Sequence, residues 1–164
     1  MDIESKKQEL RWKTCCFTGH RTIPFDKKWW LKERLEITLA DLIQQGIIYF
    51  GAGGAIGFDT LAAQTVIELR ERYPAIKLIM VLPCKTQADR WNERDKKIYE
   101  DILGKADKRV YLSEHYYDGC MHARNRHLVD CSGICVGYLT RSSGGTAYTV
   151  DYARQKGVRV INLA

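Results

Sequence analysis

Ile47-Ile48-Tyr49-Phe50-Gly51-Ala52-Gly53-Gly54-Ala55-Ile56-Gly57-Phe58-Asp59 decides how this chain is read. The apolar run Ile47–Phe50 has strand composition, and a turn holding four glycines follows it at once. Thr60 to Arg72 then reads as a helix. Glycines at a strand-to-helix junction let the backbone approach another group closely, and the free N–H groups at a helix start attract anions. The stretch therefore predicts a βα unit with a phosphate-sized anion at the turn.

Working outward, Thr14–Gly19 reads as a strand ending in Thr18-Gly19-His20-Arg21. Asp26 is placed to cap a helix running to about Gln45, with Trp30, Leu31, Leu35, Leu39, Leu42 and Ile43 near helical spacing, and Gly46 ends it. On the other side, Ile76–Leu82 is a strand stopped by Pro83, and Gln87–Leu103 a polar helix. A short strand at Arg109–Leu112, a helix at Cys120–Asp130 and a buried strand at Gly133–Leu139 follow. Ser142-Ser143-Gly144-Gly145-Thr146 opens the helix Ala147–Lys156, Gly157 caps it, and Val158–Leu163 is a last strand.

Strands alternate with helices, and most strands are unbroken apolar runs. That pattern predicts one three-layer α/β domain, a mainly parallel sheet with helices on both faces. It spans 14–164, with 1–13 as a charged N-terminal extension. In such a sheet the loops after the strands share one edge, where ligands bind. Four unusual loops fall there: 18–21, 51–59, 83–91 and 142–146. Their candidate ligand-binding residues are Gly19, His20, Arg21, Gly51, Gly53, Gly54, Ala55, Gly57, Asp59, Pro83, Lys85, Arg90, Trp91, Ser142, Ser143, Gly144, Gly145 and Thr146. Arg124 and Asn125, on the helix before the fifth strand, join them, and of Arg124 and Arg126 at most one is expected to face the pocket.

The glycine run lacks the Gly-x-x-x-x-Gly-Lys-Ser/Thr form of a P-loop. Gly51, Gly53 and Gly57 also miss the dinucleotide spacing by one residue, which counts against kinase, NTPase and dehydrogenase chemistry. His20 reads either as an acid/base group or as a hydrogen-bonded wall of the pocket. Asp59 reads either as a first-turn helix residue favoured by the helix dipole or as a ribose hydroxyl acceptor.

The formal net charge is +6, spread along the chain without a polybasic tail, which suits a phosphate-bearing ligand and also nucleic acid. The six cysteines, 15, 16, 84, 120, 131 and 135, form no CxxC pair, and Cys120, His122, His127 and Cys131 match no standard zinc spacing. Reduced, mostly structural thiols are expected, with no metal and no cofactor. The apolar stretches are strand-sized and the N-terminus lacks a secretory apolar core, so a cytoplasmic protein without a membrane span is expected. Trp29-Trp30 near a helix start points to a self-association face.

Thr18-Gly19-His20-Arg21, Gly53-Gly54-Ala55-x-Gly57-x-Asp59 and Arg124-Asn125…Val129-Asp130 together resemble the SLOG superfamily, and within it the YpsA-like branch. This superfamily of Rossmann-like proteins includes the Lonely Guy phosphoribohydrolases and the DNA-processing protein A family. The resemblance spans roughly 14–162 and implies a pocket for a nucleotide or nucleotide-derived ligand, with its phosphate at the glycine-rich helix starts. Met121-His122-Ala123-Arg124 matches the hydrolases' Met-His-x-Arg segment, so Arg124 takes their active-site arginine's place. Their catalytic glutamate falls on Thr149, leaving Asp59 or Asp151 to supply the carboxylate that cleavage of an N-glycosidic bond requires. The expected function is nucleotide binding or sensing. The alternatives are hydrolysis of nucleoside monophosphates, with Arg124 and Asp59 as catalytic residues, and single-stranded DNA binding with Trp29, Trp30, Trp91 and Tyr116-Tyr117 stacking on bases.

Overall fold

A computed structural model describes residues 2–164. Six strands, β1 (Thr14–Gly19), β2 (Tyr49–Ala52), β3 (Lys77–Leu82), β4 (Lys108–Tyr111), β5 (Ile134–Tyr138) and β6 (Arg159–Asn162), form one sheet. The sheet order is β4-β3-β2-β1-β5-β6 and every pairing is parallel. The helices are α1 (Ile3–Trp12), α2 (Lys28–Gln44), α3 (Phe58–Leu69), α4 (Glu93–Lys105), α5 (Cys120–Asp130) and α6 (Gly145–Gln155). This is the Rossmann-like α/β architecture that the alternation of elements predicts.

Successive residues of β1 point to opposite faces, and the core divides accordingly. Cys15 and Phe17 belong to the larger cluster, with Leu31, Leu35 and Leu39 of α2 and Ala62, Ala63 and Val66 of α3. Cys16 joins the smaller one, with Leu128 and Val129 of α5, Cys135 of β5 and Ala153 of α6. Phe17 stacks on Phe50 at 6.2 Å and meets Phe58 edge-on at 6.3 Å, so the first turn of α3 is pinned against the end of β1. Offset and edge-on geometries of this kind add to the burial of the rings themselves.

Several boundaries differ from the sequence reading, each for a local reason. Asp26 does not cap a long helix: Phe25–Lys27 is a single 3-10 turn and α2 starts at Lys28 without a side-chain cap. β2 begins and ends two residues later than its apolar run, because Gly51 and Ala52 pair with Ile79 and Met80 of β3. The polar helix starts only at Glu93, since Asn92 is extended and its side chain accepts from the Asp95 N–H at 2.8 Å. The charged N-terminal stretch, to which the sequence reading assigned no element, is helical. Asp2 caps it by accepting from the Ser5 N–H at 2.7 Å, and none of its residues is buried. Among the described residues no helix is long and apolar enough to cross a membrane.

Candidate functional site

The chain runs outward from β1 in both directions, to β2, β3 and β4 on one side and to β5 and β6 on the other. The crevice where this order reverses, outside the C-terminal ends of β1 and β5, is where open α/β sheets take ligands. A cleft of about 830 Å³ lies there. Thr18, Gly19, His20 and Arg21 come to it from the end of β1, Tyr138, Thr140 and Arg141 from the end of β5, and Gly145 and Thr146 from the start of α6. Met121, His122, Arg124 and Asn125 enter from α5, and Ala55 and Asp59 from the α3 junction.

Of the glycine run, then, only Ala55 and Asp59 line the cleft. Its glycines face the protein's own groups. A Cβ at Gly51 would lie 2.9 Å from Leu128 Cδ2, and one at Gly53 would lie 2.5 Å from Arg124 Nη1. Gly54 has φ +76° and sits against Leu82. Gly57 has φ +84° and packs on the backbone of Arg21, which leaves no room for any side chain. The first N–H of α3, that of Phe58, donates to the His20 carbonyl at 3.1 Å. The close approach that the glycines permit is that of α3 to the β1 end and of Arg124 to the turn.

The loop after β3 lies two strands from the reversal point, and Pro83, Lys85, Arg90 and Trp91 do not reach the cleft. Lys85 pairs with Glu114 at 2.9 Å, Trp91 meets Tyr99 edge-on at 5.2 Å, and Arg90 is exposed. Ser142, Ser143 and Gly144 are exposed beside the cleft without lining it. Gly144, with φ +100°, precedes α6 and provides no side-chain cap, so the first N–H groups of α6 are left for solvent or a ligand. Gly119, with φ +90°, likewise gives α5 no side-chain cap: the Cys120 N–H donates to the Tyr117 carbonyl at 3.0 Å, and the next residues, Met121 and His122, line the cleft. Two uncapped helix starts therefore open on one cleft, and their dipoles favour an anion.

Side-chain charge agrees with this. Arg21, Lys27, Arg124 and Arg141 line the cleft against one carboxylate, Asp59. Lys27 and Arg141 carry no sequence signal beyond their loops, and only the reversal of strand order brings them together. Arg124 is 4% exposed: its Nε donates to Asn125 Oδ1 at 2.7 Å and its Nη1 to the Gly53 carbonyl. A guanidinium carries five N–H donors, so the remainder are free for the cleft. Arg126, two residues on, is half-buried outside the cleft and donates to the Tyr148 hydroxyl at 3.1 Å.

Asp59 is 6% exposed and accepts from the Ala55 N–H at 3.3 Å. Burial pushes its carboxyl above the ordinary aspartate range, opposed by Arg124, the Ala55 N–H and Arg21. Burial likewise lowers Arg124, opposed by Asp59. For both groups desolvation outweighs their attraction, consistent with a charge-charge interaction that stops short of a contact ion pair.

His20 Nε2 lies 3.0 Å from the Thr140 N–H. An amide N–H only donates, so Nε2 holds its lone pair there and the neutral ring carries its proton on Nδ1. Arg141, also a pure donor, stands 3.5 Å from Nδ1 and contacts the ring without hydrogen bonding to it. Burial and then Arg141 lower the His20 pKa. Of its two readings, the structure supports the hydrogen-bonded wall, since the ring nitrogen a base would use is occupied. Thr149 is buried and its hydroxyl donates to the Gly145 carbonyl at 2.9 Å, while Asp151 is exposed and outside the cleft. Among the described residues, no group of three His, Cys, Asp or Glu side chains converges as metal ligands would.

The family's sequence model for YpsA, described as the YspA SLOG family, matches residues 15–160. The chain belongs to the YpsA SLOG family. Relatives in this family include a UPF0398 protein of Bacillus pumilus, 31% identical over 127 residues covering 76% of this chain and 68% of the relative. A UPF0398 protein of Halalkalibacterium halodurans is 31% identical over 141 residues, covering 84% and 72%. Among solved structures, DNA processing protein A of Streptococcus pneumoniae superposes with a TM-score of 0.66 at 16% identity, over 92% of this chain and 50% of that one. The Helicobacter pylori protein of the same name, described as binding single-stranded DNA, gives 0.62 at 19% identity over 95% and 66%. The YpsA-family chain and these proteins share a fold, and this chain spans half to about two thirds of their length.

Proposed function

We propose that the cleft between the β1 and β5 ends binds a nucleotide or nucleotide-derived ligand through its phosphate. The observation that carries this reading is the convergence of two uncapped helix starts, α5 and α6, with Arg21, Arg124 and Arg141 at one reversal point. Backbone N–H groups and forked guanidinium donors match phosphate oxygens in geometry as well as charge. Asp59, beside them, is placed to accept from a sugar hydroxyl. Thermal-shift titration with AMP, ADP-ribose, NAD and inorganic phosphate tests it. Stabilisation by the nucleotides that is lost in Arg124→Ala supports the reading, and no shift with any of them overturns it.

A second reading, hydrolysis of a nucleoside monophosphate at its N-glycosidic bond, draws on the raised carboxyl of Asp59, the one carboxylate lining the cleft. A carboxyl whose pKa burial raises is a better proton donor to a leaving base than an exposed aspartate. Chromatographic detection of free base from AMP decides it, and no release leaves binding alone. A third reading, single-stranded DNA binding, draws on the net charge of +6 and the description of the Helicobacter pylori neighbour. Retention of labelled oligonucleotide on a filter, weakening with salt, tests it.

A further inference from the structure

Beside the cleft, the segment from Pro24 to Trp30 carries side chains that the fold does not use. Phe25 is 88% exposed and Trp29 86% exposed, in a chain whose other phenylalanines are buried. Full exposure of two large rings on a helical start forfeits the burial that normally places such rings inside. They stand four residues apart, Phe25 on the 3-10 turn and Trp29 on the first turn of α2. Neither has an aromatic or cationic partner among the described residues. Trp30 differs: Lys27 and Arg34 lie over its ring at 5.3 and 5.1 Å.

The placement of these rings is specific. Pro24 and Lys27, on either side of Phe25, line the cleft itself. Lys28, the residue before Trp29, lines a second groove of about 580 Å³ together with Arg94 and Gln64. Arg21 and Thr22 are common to the cleft and this groove, so the two adjoin there, with Phe25 and Trp29 on the rim beside residues that line them. Cations thus run from Arg141 through Arg21 to Lys28 and Arg94, with Asp59 and Asp95 the carboxylates along the way. A track of cations spaced past free aromatic faces fits one kind of partner: a flexible chain with a phosphate and a planar base in every unit. A neutral protein surface would satisfy the rings but gives the cationic track no counterpart.

We infer that Phe25 and Trp29 form a base-stacking ledge, by which the phosphate cleft extends to hold a single-stranded nucleic acid. The inference rests on the cleft's binding phosphate. The mononucleotide occupies the cleft alone, whereas a longer strand also crosses the ledge and the second groove. Stacking on a ring is indifferent to which base it meets, so the ledge adds affinity with little sequence preference.

The test compares AMP with a fluorescein-labelled oligothymidylate of about 12 nucleotides. Binding is measured to the wild type, Phe25→Ala, Trp29→Ala, their double variant and Arg124→Ala. Both rings are exposed, so their removal leaves the fold intact. The expected result is that each lost ring weakens the oligonucleotide roughly tenfold and leaves AMP unchanged, while Arg124→Ala weakens both. AMP binding with unaltered oligonucleotide affinity in the double variant, or with no oligonucleotide binding at all, overturns the ledge and leaves the cleft standing. Failure of both probes on the wild type overturns the cleft and the ledge with it. Light scattering on the same proteins gives a further outcome: a dimer that Trp29→Ala dissolves makes this face a self-association surface and overturns the inference.

Discussion

Arg124 Nη1 donates to the carbonyl of Gly53, and its guanidinium lies where any side chain at position 53 would have to go. The arginine and the glycine are one feature: the turn is bare so that a buried cation can lie against it. Gly53 is not among the residues with positive φ, so its backbone tolerates alanine and only the guanidinium opposes it. Gly53→Ala is therefore expected to displace Arg124, destabilise the protein by about 1–3 kcal/mol and weaken AMP binding. Adding Arg124→Ala makes room for the new methyl group, so the double variant loses less stability than the two single losses added together. Urea unfolding of the four proteins checks this, and strict additivity would show that the two positions are not coupled.

Gly57 and Gly157 separate two reasons for a glycine. Both have positive φ, +84° and +74°, but Gly157 faces open space while a Cβ at Gly57 would lie 2.5 Å from the Arg21 carbonyl carbon. Gly157→Ala pays only for the left-handed conformation, about 1–2 kcal/mol. Gly57→Ala adds a collision with main chain that cannot swing aside, and is expected to be clearly the more destabilising. Its effect extends to the cleft, because Arg21 and the His20–Phe58 backbone bond move with it. Equal losses of thermal stability in the two variants would remove the close approach as the reason for Gly57.

Asp59→Asn tests the burial of the one cleft carboxylate. Its folded pKa is raised above the unfolded value. The stabilisation from the bound proton is therefore present below the unfolded pKa, about 3.9, and is lost as pH rises through the folded pKa. At neutral pH the ionised group costs the fold stability, so Asp59→Asn is expected to be the more stable protein there, with the gap closing toward about pH 4. The amide oxygen can still accept from Ala55. Inorganic phosphate is expected to bind the variant more tightly, since a like charge is gone. A wild type more stable than the variant at neutral pH would mean that attraction to Arg124 outweighs burial.

Much of this was legible from residue order. The runs at 76–82, apolar except for Lys77, and at 133–139 announce buried parallel strands, and both fall within two residues of β3 and β5. The helix Cys120–Asp130 matches its sequence reading end to end. Legibility stopped where a residue's partner is distant in sequence. The glycines at 51–57 signalled close approach correctly, but whether a ligand or Arg124, 71 residues on, makes that approach depends on the tertiary fold. Lys85, Arg90 and Trp91 sit after a strand as the reading required, yet strand order removes them from the cleft. The same order brings in Lys27 and Arg141, which no local pattern marks.

His20 and Thr140 give the last expectation, a loop junction sensitive to acid. The Thr140 N–H occupies Nε2, and the ring is buried against Tyr138, whose ring lies edge-on at 5.8 Å. Protonating His20 requires that bond to break and places a second cation beside Arg141. Its folded pKa is lowered by burial and by Arg141. The depressed value means that the unfolded chain takes the proton first. His20 thus contributes stability fully present above the unfolded pKa, about 6.5, and lost as pH falls through the folded pKa. His20→Gln, whose side-chain oxygen can accept from Thr140, is expected to lose that dependence while keeping the junction. AMP affinity should fall over the same range in the wild type alone, because the β1 and β5 loops that flank the cleft part when the bond breaks. Urea titrations and AMP binding at a series of pH values measure both effects. Parallel pH profiles for the two proteins would show that some other group carries the dependence.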